Sequence, residues 1–199
     1  MTLRDVYCTR QGFAGADRRH RPMLGATAKE IRRVDRGADI VTGGIADSRH
    51  GIRFTAFING MYRAGPRPAF DTLAVNAYAA RASGVPALVR RARRLMDRSG
   101  HRRGRLWVTE FGWASSGPRS RFQVSRDEQA RRLSWTLRTL YRSRARLKLR
   151  GAIYYNWRDG SPYPPLFQDF FGLHTGLLDV NQRPKPAYHA FRRIAPGLR

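Results

Sequence analysis

Polar and aromatic residues follow four short apolar segments of this 199-residue chain, at the point where each segment ends. They are Asp47 and Ser48, then Asn76 and Tyr78, then Glu110 and Trp113, and finally Asn156, Trp157 and Asp159. In parallel α/β folds the functional groups collect at the carboxyl ends of the strands. We therefore expect these residues to form one site made of carboxylates, amides and aromatic rings.

Glu110 is the residue in this set that most needs an explanation. It ends an otherwise apolar segment, RLWVTEF. A carboxylate in that position is either solvated at the rim of the sheet or held in a polar site, because burial without a partner is costly. Position alone leaves both interpretations open.

The sequence does not indicate a bound nucleotide or metal ion. Gly43 and Gly44 lack the further glycines of a dinucleotide-binding loop and have no phosphate-binding lysine. The single cysteine, Cys8, excludes an intramolecular disulfide and a cysteine cluster. The five histidines show no i, i+4 pair; they are His20, His50, His101, His174 and His189. We predict no cofactor and no metal.

The pattern of apolar residues predicts helices that alternate with short strands. Thr27 with Glu30, and Ser125 with Glu128, form capping-box patterns that mark two helix starts. The predicted order is a helix from residue 27 to about 36, strand 38–46, helix 52–63, strand 70–77, helix 85–100, strand 105–113, a long helix after residue 125, strand 151–157 and a helix over 184–194.

This order defines the fold class. Short apolar strands that are each followed by a helix form successive βα units around a parallel sheet. The strands are continuously apolar because helices and neighbouring layers cover both faces of such sheets. An open doubly wound sheet and part of a (β/α)₈ barrel both fit the pattern.

Five segments in order resemble clan A glycoside hydrolases. LWVTEFGW resembles the strand 7 signature, in which the Glu of a TE-x-G-[WY] sequence is the nucleophile. VTGGIA, FDTLAVNAY and GAIYYNWRD resemble strands 5, 6 and 8, and FGLHTGLLDVNQRPKPAYHAFRRI resembles the family's C-terminal end. The resemblance is to bacterial families 5 and 39 and covers about residues 22–195. It implies strands 5–8 of a barrel over residues 22–199, after an irregular basic segment over residues 1–21.

The resemblance also implies a mechanism and a substrate class. Glu110 corresponds to the nucleophile of a retaining enzyme that hydrolyses O-glycosidic bonds, and Tyr78 is a hydrogen-bond donor that would favour its ionised form. Trp157 corresponds to the aromatic platform under a sugar, although a core tryptophan is the alternative. The implied substrate-binding set is Asn76, Tyr78, Trp113, Trp157 and Asp159, with Tyr163 at a further subsite.

Two features depart from the family pattern. Many relatives have His-x-Tyr at the end of strand 6, where this chain has Asn76-Ala77-Tyr78, so a hydrogen-bonding role survives there but a titrating one does not. The family's acid/base is a Glu that follows an Asn at the end of strand 4, and the sequence contains no Asn-Glu pair. The resemblance therefore implies a truncated form without the acid/base, inactive on natural glycosides, that self-associates or lacks an N-terminal half.

The net charge of +25 leaves other functions open. Such a charge attracts nucleic acid, anionic polysaccharide or an acidic membrane surface. The arginines are scattered along the chain rather than grouped in a tail, a pattern that codon bias in a GC-rich genome also produces. A noncatalytic carbohydrate-binding remnant and a basic nucleic-acid or polyanion binder remain the alternatives.

The sequence contains no secretory signal and no apolar run of about 18 residues that would span a membrane. Taken literally, this predicts a cytoplasmic protein without a membrane partner. Full-length proteins of the resembled family are often secreted.

Overall fold

Four parallel strands alternate with helices in the computed structural model, which describes residues 16–47, 52–63, 69–162 and 168–198. The strands are β1 (Ile45–Ala46), β2 (Thr72–Asn76), β3 (Arg105–Phe111) and β4 (Leu149–Tyr154). The helices are α1 (Ala16–Val34), α2 (Phe54–Arg63), α3 (Gly84–Arg98), α4 (Arg126–Arg142), α5 (Arg144–Leu147) and α6 (Pro186–Ile194), with 3₁₀ turns at Phe171–His174 and Ala195–Leu198. Ser48 and Tyr163, both predicted near the site, lie outside the described residues.

The sheet has the strand order β1-β2-β3-β4, and every neighbouring pair is parallel. Each strand is followed by a helix along the chain. The predicted α/β class with parallel βα units is therefore confirmed, and the arrangement is consistent with part of a (β/α)₈ barrel.

The first strand is shorter than the predicted strand 38–46. Val41 makes only an isolated bridge with Thr72, and the regular ladder begins at Ile45. The Thr42 hydroxyl accepts the backbone N–H of Ala74 at 2.9 Å. A side chain thus replaces a backbone carbonyl in the ladder, which interrupts the strand before the two glycines.

The two predicted helix starts have different outcomes. Ser125 caps α4 as predicted, since its hydroxyl accepts the backbone N–H of Glu128 at 3.2 Å. The predicted start at Thr27 is wrong, because α1 begins at Ala16, within the segment that was predicted to be irregular. The Thr27 hydroxyl donates to the Met23 carbonyl at 2.9 Å, which is the arrangement of a threonine inside a helix.

The helices cover one face of the sheet. Leu106 and Val108 of β3 are buried on this side, in the same apolar core as the stripe of α3 that includes Val85 and Val89. Trp107 alternates with them and is 38% exposed, and Ile153 of β4 is 52% exposed. The parallel register places Trp107 beside Gly151, two residues before Ile153, so these two apolar side chains share the other face of the sheet. None of the helices in the described part of the chain is long and apolar enough to cross a membrane.

Candidate active site

Most of the predicted site residues lie at the carboxyl ends of the four strands, at one end of the sheet. Asp47 follows β1, Asn76 ends β2, Glu110 lies near the end of β3, and Trp157 follows β4. Because all four strands are parallel, these ends point the same way. The prediction that Asp47, Asn76, Glu110 and Trp157 share one end of the sheet is confirmed.

Tyr78 and Glu110 are hydrogen-bonded to each other. The Tyr78 hydroxyl donates to Glu110 Oε2 at 2.8 Å. Burial first, and the neighbouring Glu110 carboxylate second, raise the pKa of Tyr78 well above its ordinary value. Tyr78 therefore keeps its proton and remains a donor, and the acceptor oxygen belongs to a carboxylate that is only partly buried.

Asn76 and Thr109 connect the ends of β2 and β3 beside this pair. The Thr109 hydroxyl donates to Asn76 Oδ1 at 2.7 Å, and the backbone carbonyl of Glu110 accepts the N–H of Ala77 at 2.6 Å. The ladder shifts register between Val75 and Asn76. Within the described residues, the Asn76 side-chain nitrogen has no hydrogen-bond acceptor, so its N–H groups are available to a ligand.

Two glycines allow close contacts between the backbone and neighbouring groups at this end of the sheet. A Cβ at Gly112 would collide with the backbone carbonyl oxygen of Tyr155, so the turn after Glu110 needs a glycine for β3 and β4 to stay paired. A Cβ at Gly44 would collide with the side chain of Asn76. Both glycines thus make room for groups that line the site.

An aromatic cluster surrounds Tyr78. The rings of Phe122, Tyr155 and Phe171 lie edge-on to Tyr78, with centroids 6.2, 6.4 and 5.5 Å from it. Phe122 and Phe171 also pack against each other at 4.5 Å. These contacts restrict the Tyr78 ring to the orientation in which its hydroxyl points at Glu110. Sequence reasoning missed these three rings and Thr109. Phe122 lies in a loop and Phe171 begins a short 3₁₀ turn, and neither segment is long enough to show periodicity.

The Trp157 ring is open to solvent. Its side chain is 61% exposed, and the edge of one ring contacts Tyr188 of α6 at a centroid distance of 5.9 Å. An exposed indole held from one side offers its other face to a ligand. This differs from the alternative of a core tryptophan.

Trp113 is fully buried, with 0% exposure. Its indole nitrogen donates to the carbonyl of Ala79 at 2.8 Å, and its ring packs edge-on against Phe111 at 6.1 Å. The residue lies in a continuously buried segment, residues 111–114, at the end of β3. It presents no surface to a ligand, which differs from the prediction that it contacts substrate.

Asp159 lies in a buried ion pair. Its carboxylate contacts Lys185 Nζ at 2.7 Å and accepts the backbone N–H of Gly176 at 2.7 Å, and its exposure is 6%. Lys185 is 1% exposed and also donates to the Ser115 hydroxyl at 2.9 Å. Burial lowers the pKa of Lys185, and the Asp159 carboxylate opposes that shift. The pair joins the segment after β4 to the start of α6, and its atoms do not contact the Tyr78 and Glu110 pair.

Asp47 is paired with an arginine of α3. Its carboxylate lies 3.8 Å from the guanidinium of Arg91 on α3. Among the described residues, no group of three or more His, Cys, Asp or Glu side chains is arranged to hold a metal ion. The site therefore consists of one partly buried carboxylate, its tyrosine donor, an amide and an exposed indole.

Several solved structures that are similar to this chain are glycoside hydrolases. A glucosidase from Croceicoccus marinus matches 95% of this chain with a TM-score of 0.70 at 14% identity, and the match spans 39% of that protein. A monomeric β-xylosidase from Caulobacter crescentus matches 88% of the chain with a TM-score of 0.60 at 17% identity, over 37% of its own length. The chain has a glycosidase-like fold.

A third similar structure is the GH53 catalytic domain of Ignisphaera aggregans, with a TM-score of 0.57, 20% identity, and coverage of 84% of this chain and 49% of that chain. The chain therefore spans less than two thirds of the structures it matches. No protein-family model and no curated protein matches the sequence.

Proposed function

We propose that this chain carries the nucleophile half of a retaining glycosidase site, with strands β1–β4 equivalent to strands 5–8 of a barrel. The observation that carries the proposal is the 2.8 Å hydrogen bond from Tyr78 to Glu110 at the carboxyl end of a sheet with a glycosidase-like fold. Barrel enzymes place their catalytic groups at this end of the strands.

Glu110 is the nucleophile in this proposal. Tyr78 donates to Oε2 and so fixes the orientation of the carboxylate, while Oε1 attacks the anomeric carbon. A bond forms between Glu110 and that carbon as the bond to the leaving oxygen breaks, and the leaving oxygen takes the electron pair. Water then hydrolyses the glycosyl ester and regenerates the carboxylate.

Trp157 and Asn76 position the sugar. The open face of the Trp157 indole suits the apolar face of a pyranose ring, and the ring hydroxyls stay free for hydrogen bonds. The side-chain nitrogen of Asn76 donates to one of these hydroxyls. Asp159 acts indirectly, because its pair with Lys185 fixes the segment that carries Trp157.

The acid/base comes from outside this sequence. Retaining enzymes hold a second carboxyl group about 5 to 5.5 Å from the nucleophile, and the strand that would carry it has no counterpart in β1–β4. A natural glycoside has a poor leaving group and needs that acid. An aryl glycoside with an activated leaving group does not, because its departing oxygen is stable without a proton.

The test is pre-steady-state kinetics with 2,4-dinitrophenyl glycosides of β-glucose, β-xylose and β-galactose. We expect a burst of dinitrophenol that approaches one equivalent per active chain for one of these sugars. Glu110→Gln should abolish the burst, whereas Glu128→Gln should keep it, since Glu128 pairs with Arg131 and Arg132 on the surface. Sugar binding that is lost in Trp157→Ala, with no burst in any variant, would support the noncatalytic alternative and contradict the proposal.

A further inference from the structure

A groove of about 520 Å³ lies between α4 and α6 on the helical side of the molecule. Residues from both helices line it, and none of the strand-end residues of the candidate active site is among them. The groove is therefore a concave surface that is separate from Glu110.

Positive charge dominates this groove. Arg131, Arg138 and Arg142 line it from α4, and Arg193 lines it from α6. The Arg131 guanidinium contacts the Glu128 carboxylate at 2.8 Å. The other three guanidinium groups have no carboxylate partner among the residues described by the structure. No Asp or Glu lines the groove. A concave surface with one sign of charge concentrates ions of the opposite sign.

A tryptophan lies in the middle of this charge. Trp135 lines the groove and is 45% exposed, although large aromatic rings are usually buried. It precedes Arg138 by three residues and follows Arg131 by four, so both arginines lie on its face of α4 with Cβ atoms about 5–6 Å away. In the described part of the chain, no cation is stacked on the ring of Trp135.

We propose that this groove binds an acidic polysaccharide through its carboxylated pyranose rings. One ring stacks its apolar face on Trp135, and its carboxylate meets Arg131 or Arg138 at the edge of the indole. Arg142 and Arg193 contact the carboxylates of neighbouring rings along the groove.

The position of the charge favours a uronate over a nucleic acid. In a uronic acid the carboxylate is attached to the ring that stacks, so ring and charge are recognised within one helical turn. In a nucleotide the phosphate is separated from the stacking base by a sugar. Arginines within one turn of Trp135, on both sides of it, fit the first arrangement.

The test is binding of an oligogalacturonate of defined length, measured by isothermal titration calorimetry and by quenching of tryptophan fluorescence. The fully methyl-esterified form of the same oligosaccharide is the uncharged control, and an oligothymidylate of equal charge is the nucleic-acid control. Titrations at about 50 mM and about 500 mM NaCl separate the ionic contribution from stacking.

We expect Trp135→Ala and the double variant Arg138→Gln/Arg142→Gln each to weaken oligogalacturonate binding about tenfold or more. The charge-matched control Arg102→Gln/Arg103→Gln, at exposed positions before β3, should change it less than about twofold. Glu110→Gln should bind normally, which separates this site from the proposed catalytic one.

Three results would overturn the proposal. They are equal binding of the methyl ester, equal weakening in the Arg102 and Arg103 control, or oligothymidylate binding that is as tight and as sensitive to Trp135→Ala. Circular dichroism of each variant establishes that the helices are intact, so a loss of binding reports on the groove.

Discussion

The buried pair of Asp159 and Lys185 gives a quantitative prediction about how the segment after β4 is held. Lys185→Met leaves an Asp159 carboxylate with 6% exposure and no cation, and Asp159→Asn leaves a Lys185 ammonium with 1% exposure. Removing one partner of a buried pair costs about 3–5 kcal/mol because the other charge stays desolvated. We expect each single variant to lose this amount of unfolding free energy.

The double variant Asp159→Asn/Lys185→Met removes both charges, so its cost should be smaller than the sum of the single costs by about 2–3 kcal/mol. Urea unfolding followed by circular dichroism and tryptophan fluorescence measures all three variants. Arg33→Gln is the control, since its pair with Glu30 is exposed and should contribute less than about 1 kcal/mol. Single costs below about 1 kcal/mol, or strictly additive costs, would refute the view that this pair is structural.

Three further predictions concern the sheet face, the pH dependence and the substrate range. Trp107 and Ile153 are exposed, and no described residue pairs with the outer edges of β1 and β4, so the chain should self-associate. Light scattering after size exclusion should show less association in Ile153→Glu. A well-behaved monomer in the parent chain would count against this. Burial and, to a smaller extent, the charge of Arg93 lower the pKa of His101. The unfolded chain therefore takes up a proton at a higher pH than the folded chain, and the urea midpoint should fall as the pH drops below about 6.5. His101→Gln should weaken the dependence of the urea midpoint on pH. An unchanged dependence would show that His101 does not cause it. Natural polysaccharides should not be hydrolysed by the isolated chain, and hydrolysis that disappears in Glu110→Gln would reveal an acid/base within these residues.

The order of the elements was predictable because each depends on local patterns. The apolar spacing of α3 and the cap at Ser125 are properties of a few consecutive residues. The start of the helix that includes Pro22 and Gly25 was missed, since both residues disfavour helix interiors. The strands were predicted too long because apolar runs continue past the point where hydrogen-bonded pairing stops.

The site was predictable in part. Tyr78 and Glu110 lie at the carboxyl ends of neighbouring parallel strands, so the topology brings them to the same end of the sheet, and the expected hydrogen bond is present. The aromatic cluster depends on the paths of the loops that carry Phe122 and Phe171, and the ion pair joins residues 159 and 185 across a long loop. Neither contact leaves a periodic signal. The buried indole of Trp113 donates to the Ala79 carbonyl, a contact that no local pattern indicates.

The most direct test of the central claim is to trap the covalent intermediate and locate it. The chain is incubated with 2,4-dinitrophenyl 2-deoxy-2-fluoro glycosides of β-glucose, β-xylose and β-galactose, and peptides are then mapped by tandem mass spectrometry. We predict one fluoroglycosyl group on Glu110, slower labelling in Tyr78→Phe because the carboxylate loses its hydrogen bond, and no label in Glu110→Gln. A label on another residue, or none with any of the three sugars on folded protein, would contradict the assignment of Glu110 as a glycosidase nucleophile.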